Sequence, residues 1–427
     1  MTDPYPVVRH TLDNGLTVLV SEDHLVPEVS INIGVSVGSR HEEPGQTGLA
    51  HLFEHLMFEG SQQVADGEHF ALMMSHGGRC NATTSFDRTC YFDTVPRGAA
   101  ELALWLEADR HARLLPAVTQ ANVDNQRDVV VEEKRQRYDN QPYGDALAAM
   151  CEAVFPEGHP YRHTPIGSMQ DLQAASLETV RAFYERHYDP SHTVLTMVGD
   201  LTPSEGVDWA QRYFATGSAP TDHRERPPGT SPLPPLSKPS RRPMTGAVPT
   251  DRLYVCFRLP EITSPDYLAC AMALDLLAGM SSSAVHRSLV REREVVIDCG
   301  AAALGLVSGT SLAYVVLDVE ASSSLEEVED ALCAELARLA ETPPREDLLA
   351  AAQAGAERSW LEALASAEER ADIIGRAMLT HQDPDYLNTH LARVRSLDPA
   401  RIAEVAGRHL RPESRAVLAY RRAGAAA

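Results

Sequence analysis

The sequence has 427 residues, of which 44% are hydrophobic and 23% are charged, and its formal net charge is −22. These values are typical of a globular chain long enough for two or more domains, and they argue against a disordered protein. The acidic balance argues against a nucleic-acid-binding protein, because phosphates require basic surfaces. It favours basic or non-acidic peptide partners through long-range attraction, although the same charge also serves solubility.

The sequence predicts neither a membrane segment nor a secretory signal. No uncharged apolar run reaches the roughly 18 residues that a membrane-spanning helix needs, and the start, MTDPYPVVRHTLDNG, has neither a basic nor an apolar segment. The cysteines are odd in number and form no C-x-x-C pair, which indicates reduced, mostly buried thiols in a cytoplasmic protein. They are Cys80, Cys90, Cys151, Cys256, Cys270, Cys299 and Cys333.

The first predicted elements are strands. Asn14-Gly15 lies between apolar runs and predicts a tight hairpin. Apolar residues then alternate with small or polar ones from Val29 to Val37, which predicts a strand with one buried face. A further strand is predicted from Thr89 to Val95.

The motif His51-Leu52-Phe53-Glu54-His55 follows the alternating strand, on a helix predicted to end at Gly60. Positions i, i+3 and i+4 share one helix face. Two neutral imidazoles can bind one zinc ion, and the carboxylate can take a proton from a water molecule whose pKa zinc lowers to roughly 7. The order H-x-x-E-H inverts the commoner H-E-x-x-H. An ordinary amphipathic helix is the alternative for any lone pair of histidines.

A third ligand would favour the metal site over that alternative. A catalytic zinc ion takes three protein ligands and leaves one position open, so a carboxylate or histidine is expected on another helix. The stretch 121–138 predicts a long helix that contains Glu132 and Glu133. The residues themselves leave both glutamates as candidates.

Three segments of the sequence resemble the pitrilysin/insulinase family of inverted zinc peptidases. They are GLAHLFEHLMFEGS, GGRCNATTSFDRTCYFDTVP and NQRDVVVEEKRQRYDNQPYG. The likeness is closest to the short subfamily that includes mitochondrial processing peptidase and its bacterial relatives. It implies one zinc ion per chain with His51, His55 and Glu133 as ligands and Glu132 as the fallback. It also implies that Glu54 is the general base.

The resemblance further implies an α+β fold of two homologous halves, each an antiparallel sheet flanked by helices, joined by a proline-rich linker. The zinc-binding catalytic half would span 1–220, the linker 221–242, and a half without metal ligands 243–427. The row TDHRERPPGTSPLPPLSKPSRR agrees with the linker, since proline disrupts regular structure.

The second half repeats the order of strand and helix without the ligands. A strand is predicted over Leu253 to Phe257 and an apolar helix over Asp266 to Gly279. Where ligands would stand, the helix offers Cys270, Met272 and Leu274. The helical tail from Leu325 and a closing strand from Ala416 to Tyr420 also match the resemblance.

By the same resemblance, the chain would be an endopeptidase that cleaves flexible peptides. A peptide would add a strand to a sheet edge formed by 79–84, held by backbone hydrogen bonds, and Asn81 and Ala82 are the candidate substrate-binding residues. Asn81 could equally cap the start of the strand.

Two positions depart from the family pattern. Many relatives carry a second acidic residue where this chain has Gln126, which can orient a ligand but cannot transfer a proton at neutral pH; a solvent-facing glutamine is the alternative. Active relatives also use an arginine and a tyrosine from a second half-module. Here Ala284 and Ile297 stand at those positions, and neither side chain can donate a hydrogen bond to an oxyanion. Such a donor typically stabilises the transition state by on the order of 3 kcal/mol.

Two interpretations of this second departure stay open. In the first, a homologous partner without zinc ligands supplies the Arg/Tyr pair in a heterodimer. In the second, Arg287 or Tyr314 serves within this chain, which then acts alone or as a homodimer. An inactive zinc-binding scaffold subunit is a further alternative, although a structural zinc site does not need Glu54.

Overall fold

The computed structural model describes residues 4–215 and 230–423. The strands in these residues are β1 (Val8–Thr11), β2 (Thr17–Glu22), β3 (Glu28–Val35), β4 (Arg79–Thr84), β5 (Thr89–Pro96), β6 (Thr193–Gly199), β7 (Ser240–Gly246), β8 (Asp251–Pro260), β9 (Val296–Leu304), β10 (Thr310–Val319) and β11 (Ala416–Arg422). The α-helices are α1 (Leu49–Leu56), α2 (Glu68–Ser75), α3 (Ala100–Arg113), α4 (Gln120–Lys134), α5 (Ala146–Val154), α6 (Met169–Ala174), α7 (Leu177–His187), α8 (Pro203–Phe214), α9 (Pro265–Leu274), α10 (Leu325–Glu341), α11 (Glu346–Ala365), α12 (Ala367–His381), α13 (Tyr386–Arg395) and α14 (Pro399–His409).

The chain forms two compact units that interleave along the sequence. Of the described residues, the first unit contains 4–134, 163–215 and Trp360–His390. The second contains Arg135–Arg162, 230–359 and 391–423. These units describe packing, and the predicted homologous halves 1–220 and 243–427 stay a prediction about the sequence.

The first unit is built on a six-stranded sheet in the order β1-β2-β6-β3-β5-β4. All neighbouring pairs are antiparallel except β2 and β6, which are parallel. The predicted hairpin around Asn14-Gly15 joins β1 to β2, and Gly15 has a φ of +89° that favours glycine. The predicted strand after residue 89 is confirmed as β5.

The central strand β3 is buried on both faces, so the prediction of one buried face is wrong. Val29, Ile31 and Ile33 pack against α3 and α8 in one core cluster. The small or polar residues between them lie under α12 instead of facing solvent. A Cβ on Gly34 would lie 2.8 Å from Leu379 Cδ1, which shows how closely the helix approaches. The small residues of β3 leave room for α12 on this second face, but the alternating pattern did not predict that a helix would cover it.

The second unit is built on a five-stranded sheet in the order β7-β11-β8-β10-β9. Only the β7–β11 pair is parallel. The predicted strand 253–257 lies within β8, and the predicted helix 266–279 is confirmed as α9 followed by a π-helical turn, Asp275–Gly279. The α+β architecture of two sheets flanked by helices is therefore confirmed.

The predicted linker 221–242 lies partly outside the described residues. Residues 230–239 contain no helix or strand, as predicted, but Ser240 already begins β7. The strand tolerates Pro243 because β7 is at the edge of its sheet, where a missing N–H costs no ladder bond. The end predicted for the linker is therefore a few residues too late. Among the helices in the described ranges, none has the length and apolarity needed to cross a membrane.

Candidate metal centre

Helix α1 positions the first three candidate residues. It begins after Gly48, whose φ is +92° and on which a Cβ would lie 2.8 Å from the Ile166 carbonyl oxygen, so only glycine fits this entry. The α-helical part ends at Leu56, and Gly60 follows after a short turn with a φ of +97°. The rings of His51 and His55 lie with their centroids 4.8 Å apart.

Helix α4 packs against α1 and brings Glu133 to the two histidines. Glu133 Oε2 lies 3.3 Å from His55 Nε2 and 3.8 Å from His51 Nε2. One ligand atom from each of the three residues lies within 4.8 Å of the others. Two imidazole nitrogens and one carboxylate oxygen that converge in this way fit the three-ligand set of a catalytic zinc ion.

The geometry distinguishes the two adjacent glutamates. Glu133 is mostly shielded, with 16% of its side chain exposed, and belongs to the converging group. Glu132 is not part of that group. The predicted long helix 121–138 is confirmed, but it changes to π-helical geometry at Arg135–Asp139, directly after α4.

Glu54 lies on the same helix as the two histidines and is 9% exposed. The Thr84 hydroxyl donates a hydrogen bond to Glu54 Oε2. This bond fixes the carboxylate from the end of strand β4. The sequence analysis did not identify Thr84. It could have done so because Thr84 is two residues after Ala82, and residues two apart on a strand have their side chains on the same face.

Gln126 is a partner of His55, which contradicts the alternative of a solvent-facing glutamine. Its Nε2 donates to Glu59 Oε1 at 2.5 Å, and its Oε1 lies 3.3 Å from His55 Nδ1. Because Glu59 can only accept, the amide orientation is fixed, and the amide oxygen must then accept from a protonated Nδ1. This tautomer leaves the Nε2 lone pair of His55 directed to the side of Glu133. Asn122 holds the other Glu59 oxygen at 3.0 Å.

The electrostatic field of the site favours a cation. Burial lowers the pKa of His55, but its contact with Glu133 and the negative charge of Glu54 together raise that pKa above its usual value of 6.5. A field that favours a proton on an imidazole also favours a divalent cation beside it.

The predicted substrate-binding residues lie on β4, which pairs only with β5 and is the edge of the first sheet. Asn81 is exposed and Ala82 is 8% exposed. Asn81 Oδ1 accepts a hydrogen bond of 2.9 Å from the Ala82 N–H. Since β4 begins at Arg79, Asn81 is the third residue of the strand and does not cap its start; its side chain instead occupies the N–H of the next residue.

The positions expected to carry an arginine and a tyrosine lie in the second unit. Ala284 precedes a π-helical segment, His286–Glu292, and Ile297 lies on β9 with 49% of its surface exposed. The alternative Tyr314 is on β10, where its ring packs against Tyr254 at a centroid distance of 6.1 Å. Arg287 is partly buried at the start of the π-helical segment.

Two family models match the chain one after the other. The first, described as Insulinase (Peptidase family M16), matches residues 17–163, and the second, described as Peptidase M16 inactive domain, matches residues 174–355. The chain belongs to the M16 peptidase family. The first match contains all three converging residues and Glu54. The second covers much of the part in which the sequence predicted no metal ligands.

Curated relatives in this family carry the name zinc protease. The chain is 32% identical over 205 residues to "Zinc protease PqqE" of Helicobacter pylori, a match that covers 48% of this chain and 46% of the relative. It is also 32% identical over 210 residues to an uncharacterized zinc protease of Mycobacterium leprae, which covers 49% and 46%. The chain thus spans about half the length of the curated relatives it matches.

The fold extends over a longer stretch than these sequence matches. A solved structure of a protease from Helicobacter pylori superposes with a TM-score of 0.89 at 22% identity, and it covers 98% of this chain and 100% of that chain. At this identity the likeness shows the fold alone. Activity must therefore be argued from the residues of the site.

Proposed function

We propose that this M16 family member is a zinc-dependent endopeptidase that hydrolyses flexible peptides. The observation that carries the proposal is the convergence of His51, His55 and Glu133 within 4.8 Å, with Glu54 fixed beside them by Thr84. An inert structural zinc site has no use for such a carboxylate next to its ligands.

Each residue of the site has a role in this reaction. A bound zinc ion would act as a Lewis acid that polarises the scissile carbonyl and acidifies water. Glu54 would remove a proton from the attacking water and later pass it to the departing amine. The Thr84 hydroxyl would keep the Glu54 carboxylate in one orientation, and Gln126 would keep His55 in the tautomer that can bind a metal.

The peptide would bind to the open edge of β4 as an added strand. Binding of this kind uses the backbone of the substrate, so the peptide must be unfolded and its sequence is read only through side-chain pockets. A substrate in this position would have to displace Asn81 Oδ1 from the Ala82 N–H. We therefore propose that Asn81 protects the edge when no peptide is bound.

The oxyanion would be stabilised by a second, homologous chain. The positions for the arginine and the tyrosine hold Ala284 and Ile297, whose side chains donate no hydrogen bonds. Since both donors are replaced, we favour a heterodimer whose partner lacks zinc ligands and retains the pair. A self-sufficient homodimer and an inactive scaffold subunit are the competing proposals.

The test is cleavage of a mixed panel of unstructured peptides by the zinc-loaded chain, with and without a copurified partner. Glu54→Gln is the matched control, because it keeps the shape and removes the base while leaving the ligands intact. We expect the control to retain zinc and to lose about a thousandfold or more of the turnover of the active form. Equal cleavage by Glu54→Gln would refute the peptidase mechanism.

The same panel separates the alternatives. Full activity of the chain alone, abolished in Glu54→Gln, would support a self-sufficient peptidase. Activity that requires the partner would support the heterodimer. Zinc binding without any cleavage, alone or with a homologous partner, would support the scaffold.

A further inference from the structure

A second group of potential ligands lies inside the first unit and shares no residue with the group of His51, His55 and Glu133. It consists of His69 on α2, Cys80 on β4 and Asp93 on β5. Cys80 and Asp93 are directly opposite each other in the β4–β5 ladder, and α2 packs against β4. One ligand atom from each residue lies within 4.8 Å of the others.

The polar atoms of this group lack hydrogen-bond partners although they are buried. His69 is 3% exposed and Asp93 is fully buried. Within the described residues, His69 Nε2 and both carboxylate oxygens of Asp93 have no hydrogen-bond partner. A buried carboxylate without compensation is costly, so such a group requires either a proton or a cation.

Arg110 attracts Asp93 through its charge but donates no hydrogen bond to it. Arg110 is fully buried, and its guanidinium lies over the rings of Phe58 and Tyr91 and donates to both oxygens of Glu107. That pair is therefore neutral by itself. Burial and the negative charge of Glu107 raise the pKa of Asp93 well above its usual value, so without a bound cation its carboxyl group holds a proton.

His69 cannot supply the missing positive charge. Burial, together with the charge of Arg110, lowers the pKa of His69 to about 2, so its imidazole is neutral. A neutral imidazole is the form that binds metals. Glu107 Oε1 lies 3.6 Å from His69 Nε2, which is too long for a hydrogen bond that would satisfy this nitrogen.

We propose that His69, Cys80 and Asp93 bind a second divalent cation, for which zinc is the best match. Nitrogen, sulfur and carboxylate oxygen are the donors of zinc sites, whereas calcium and magnesium take oxygen ligands. Binding would release one proton from the Cys80 thiol and one from the buried Asp93 carboxyl group, and the resulting thiolate and carboxylate would together neutralise the ion. This raises the zinc content from the single ion predicted from the sequence to two.

The site would have a structural role. Its ligands join α2 to two adjacent strands, one of which is the edge strand β4. A bound ion would thus fix the strand to which a peptide is proposed to add, on the face of the sheet that α2 covers. The sequence did not reveal the site, because its ligands are 11 and 13 residues apart on three different elements and match no short ligand motif.

The experiment uses the full chain with His51→Ala and Glu133→Ala, so that metal bound to the first centre is removed. The apo form is titrated with Co²⁺, and absorption from thiolate-to-cobalt charge transfer is recorded. We expect one equivalent of Co²⁺ to bind with this absorption. Adding Cys80→Ser should abolish the absorption, and adding Asp93→Asn should weaken binding at least about tenfold. Cys333→Ser, another partly buried free thiol, is the matched control and should change neither.

Cobalt binding to the variant with His51→Ala and Glu133→Ala alone can also contradict the proposal. Absence of bound cobalt in that variant would mean that Asp93 is compensated by a proton shared with Glu107, and it would overturn the proposal. Binding that survives both Cys80→Ser and Asp93→Asn would overturn it as well. If Cys80→Ser fails to fold, the spectrum of the background variant still gives the answer, because thiolate absorption requires a cysteine ligand.

Discussion

Single atoms set the geometry of the candidate metal centre at His51, His55 and Glu133. The tautomer of His55 follows from Gln126, whose own orientation follows from Glu59. The position of Glu54 follows from one hydroxyl on a neighbouring strand. None of these partners is a ligand, yet each limits the rotation of a residue that has to meet zinc or water.

The choice between the adjacent glutamates is tested by zinc content. Glu133→Ala should lower the zinc content by one ion per chain, because the converging carboxylate is lost. Glu132→Ala is the matched control and should leave the metal in place. Elemental analysis after dialysis measures both. If only Glu132→Ala loses zinc, the third ligand is Glu132 and the assignment to Glu133 is wrong.

The role of Gln126 is tested by zinc affinity. Gln126→Leu keeps a similar volume and removes the acceptor for His55 Nδ1, so affinity should fall about tenfold to a hundredfold. Gln126→Glu keeps an acceptor and should retain tight binding. Asn125→Leu, at an exposed neighbouring position, controls for the apolar substitution. Competition with a chromogenic chelator gives the affinities, and an unchanged value for Gln126→Leu would reject the positioning role.

At the scale of elements, the first sheet separates the strand proposed to bind peptide from the strand that forms the core. Strand β4 pairs on one side only and leaves its other edge open, whereas β3 is covered by helices on both faces. The cover over β3 and β6 comes from α12, which belongs to the late segment Trp360–His390. Peptide binding and packing can therefore be changed separately.

Ala82→Pro tests the open edge. Proline removes one backbone donor of β4 but is tolerated at sheet edges, so we expect cleavage to be lost while zinc stays bound. Ala82→Ser keeps the N–H and serves as the control. Undiminished turnover of the proline variant, measured with the peptides of the panel, would exclude the added-strand mode of binding.

Removal of the ion pair between Arg88 and Asp372 tests how much this pair stabilises the docking of α12. The two guanidinium nitrogens of Arg88 lie 2.6 and 2.9 Å from the Asp372 oxygens. Asp372→Asn should destabilise this docking by about 2 kcal/mol, because a charged hydrogen-bonded pair is broken. Hydrogen exchange of α12 amides should accordingly be about thirtyfold faster. Glu362→Gln, on the exposed side of α11, is the control.

The same pair predicts a dependence on pH. Burial alone would raise the pKa of Asp372, but the charge and hydrogen bonds of Arg88 hold it below its usual value of 3.8. Its contribution to stability is therefore complete above pH 3.8 and is lost as the pH falls through the lower value of the folded state. Asp372→Asn should lack this part of the acid dependence. An identical acid profile in both proteins would contradict the assignment.

For the whole molecule, local sequence patterns predicted the helices and strands near the site, but they did not predict the contacts between elements distant in the sequence. The strand before the motif, the hairpin, the helix of Glu133 and the repeat in the second half all follow from periodicity and turn residues. Glu133 was reached only through the family resemblance, since spacing along the chain does not tell which of two neighbours faces inward. Thr84 and the group around Asp93 depend on cross-strand and helix-sheet contacts, which leave no short motif in the sequence.

The interleaving of the two units has a consequence for biosynthesis. A ribosome delivers β3 and the HLFEH helix early, but the helix that covers the far face of β3 emerges only with residues 367–381. Until then the apolar and small side chains of β3 and β6 have no cover on that face. Although domains generally fold in the order of their synthesis, the unit that carries the metal centre must here wait for most of the second unit to be translated. The nascent chain would therefore depend on protection of this sheet until residues 367–381 have left the ribosome.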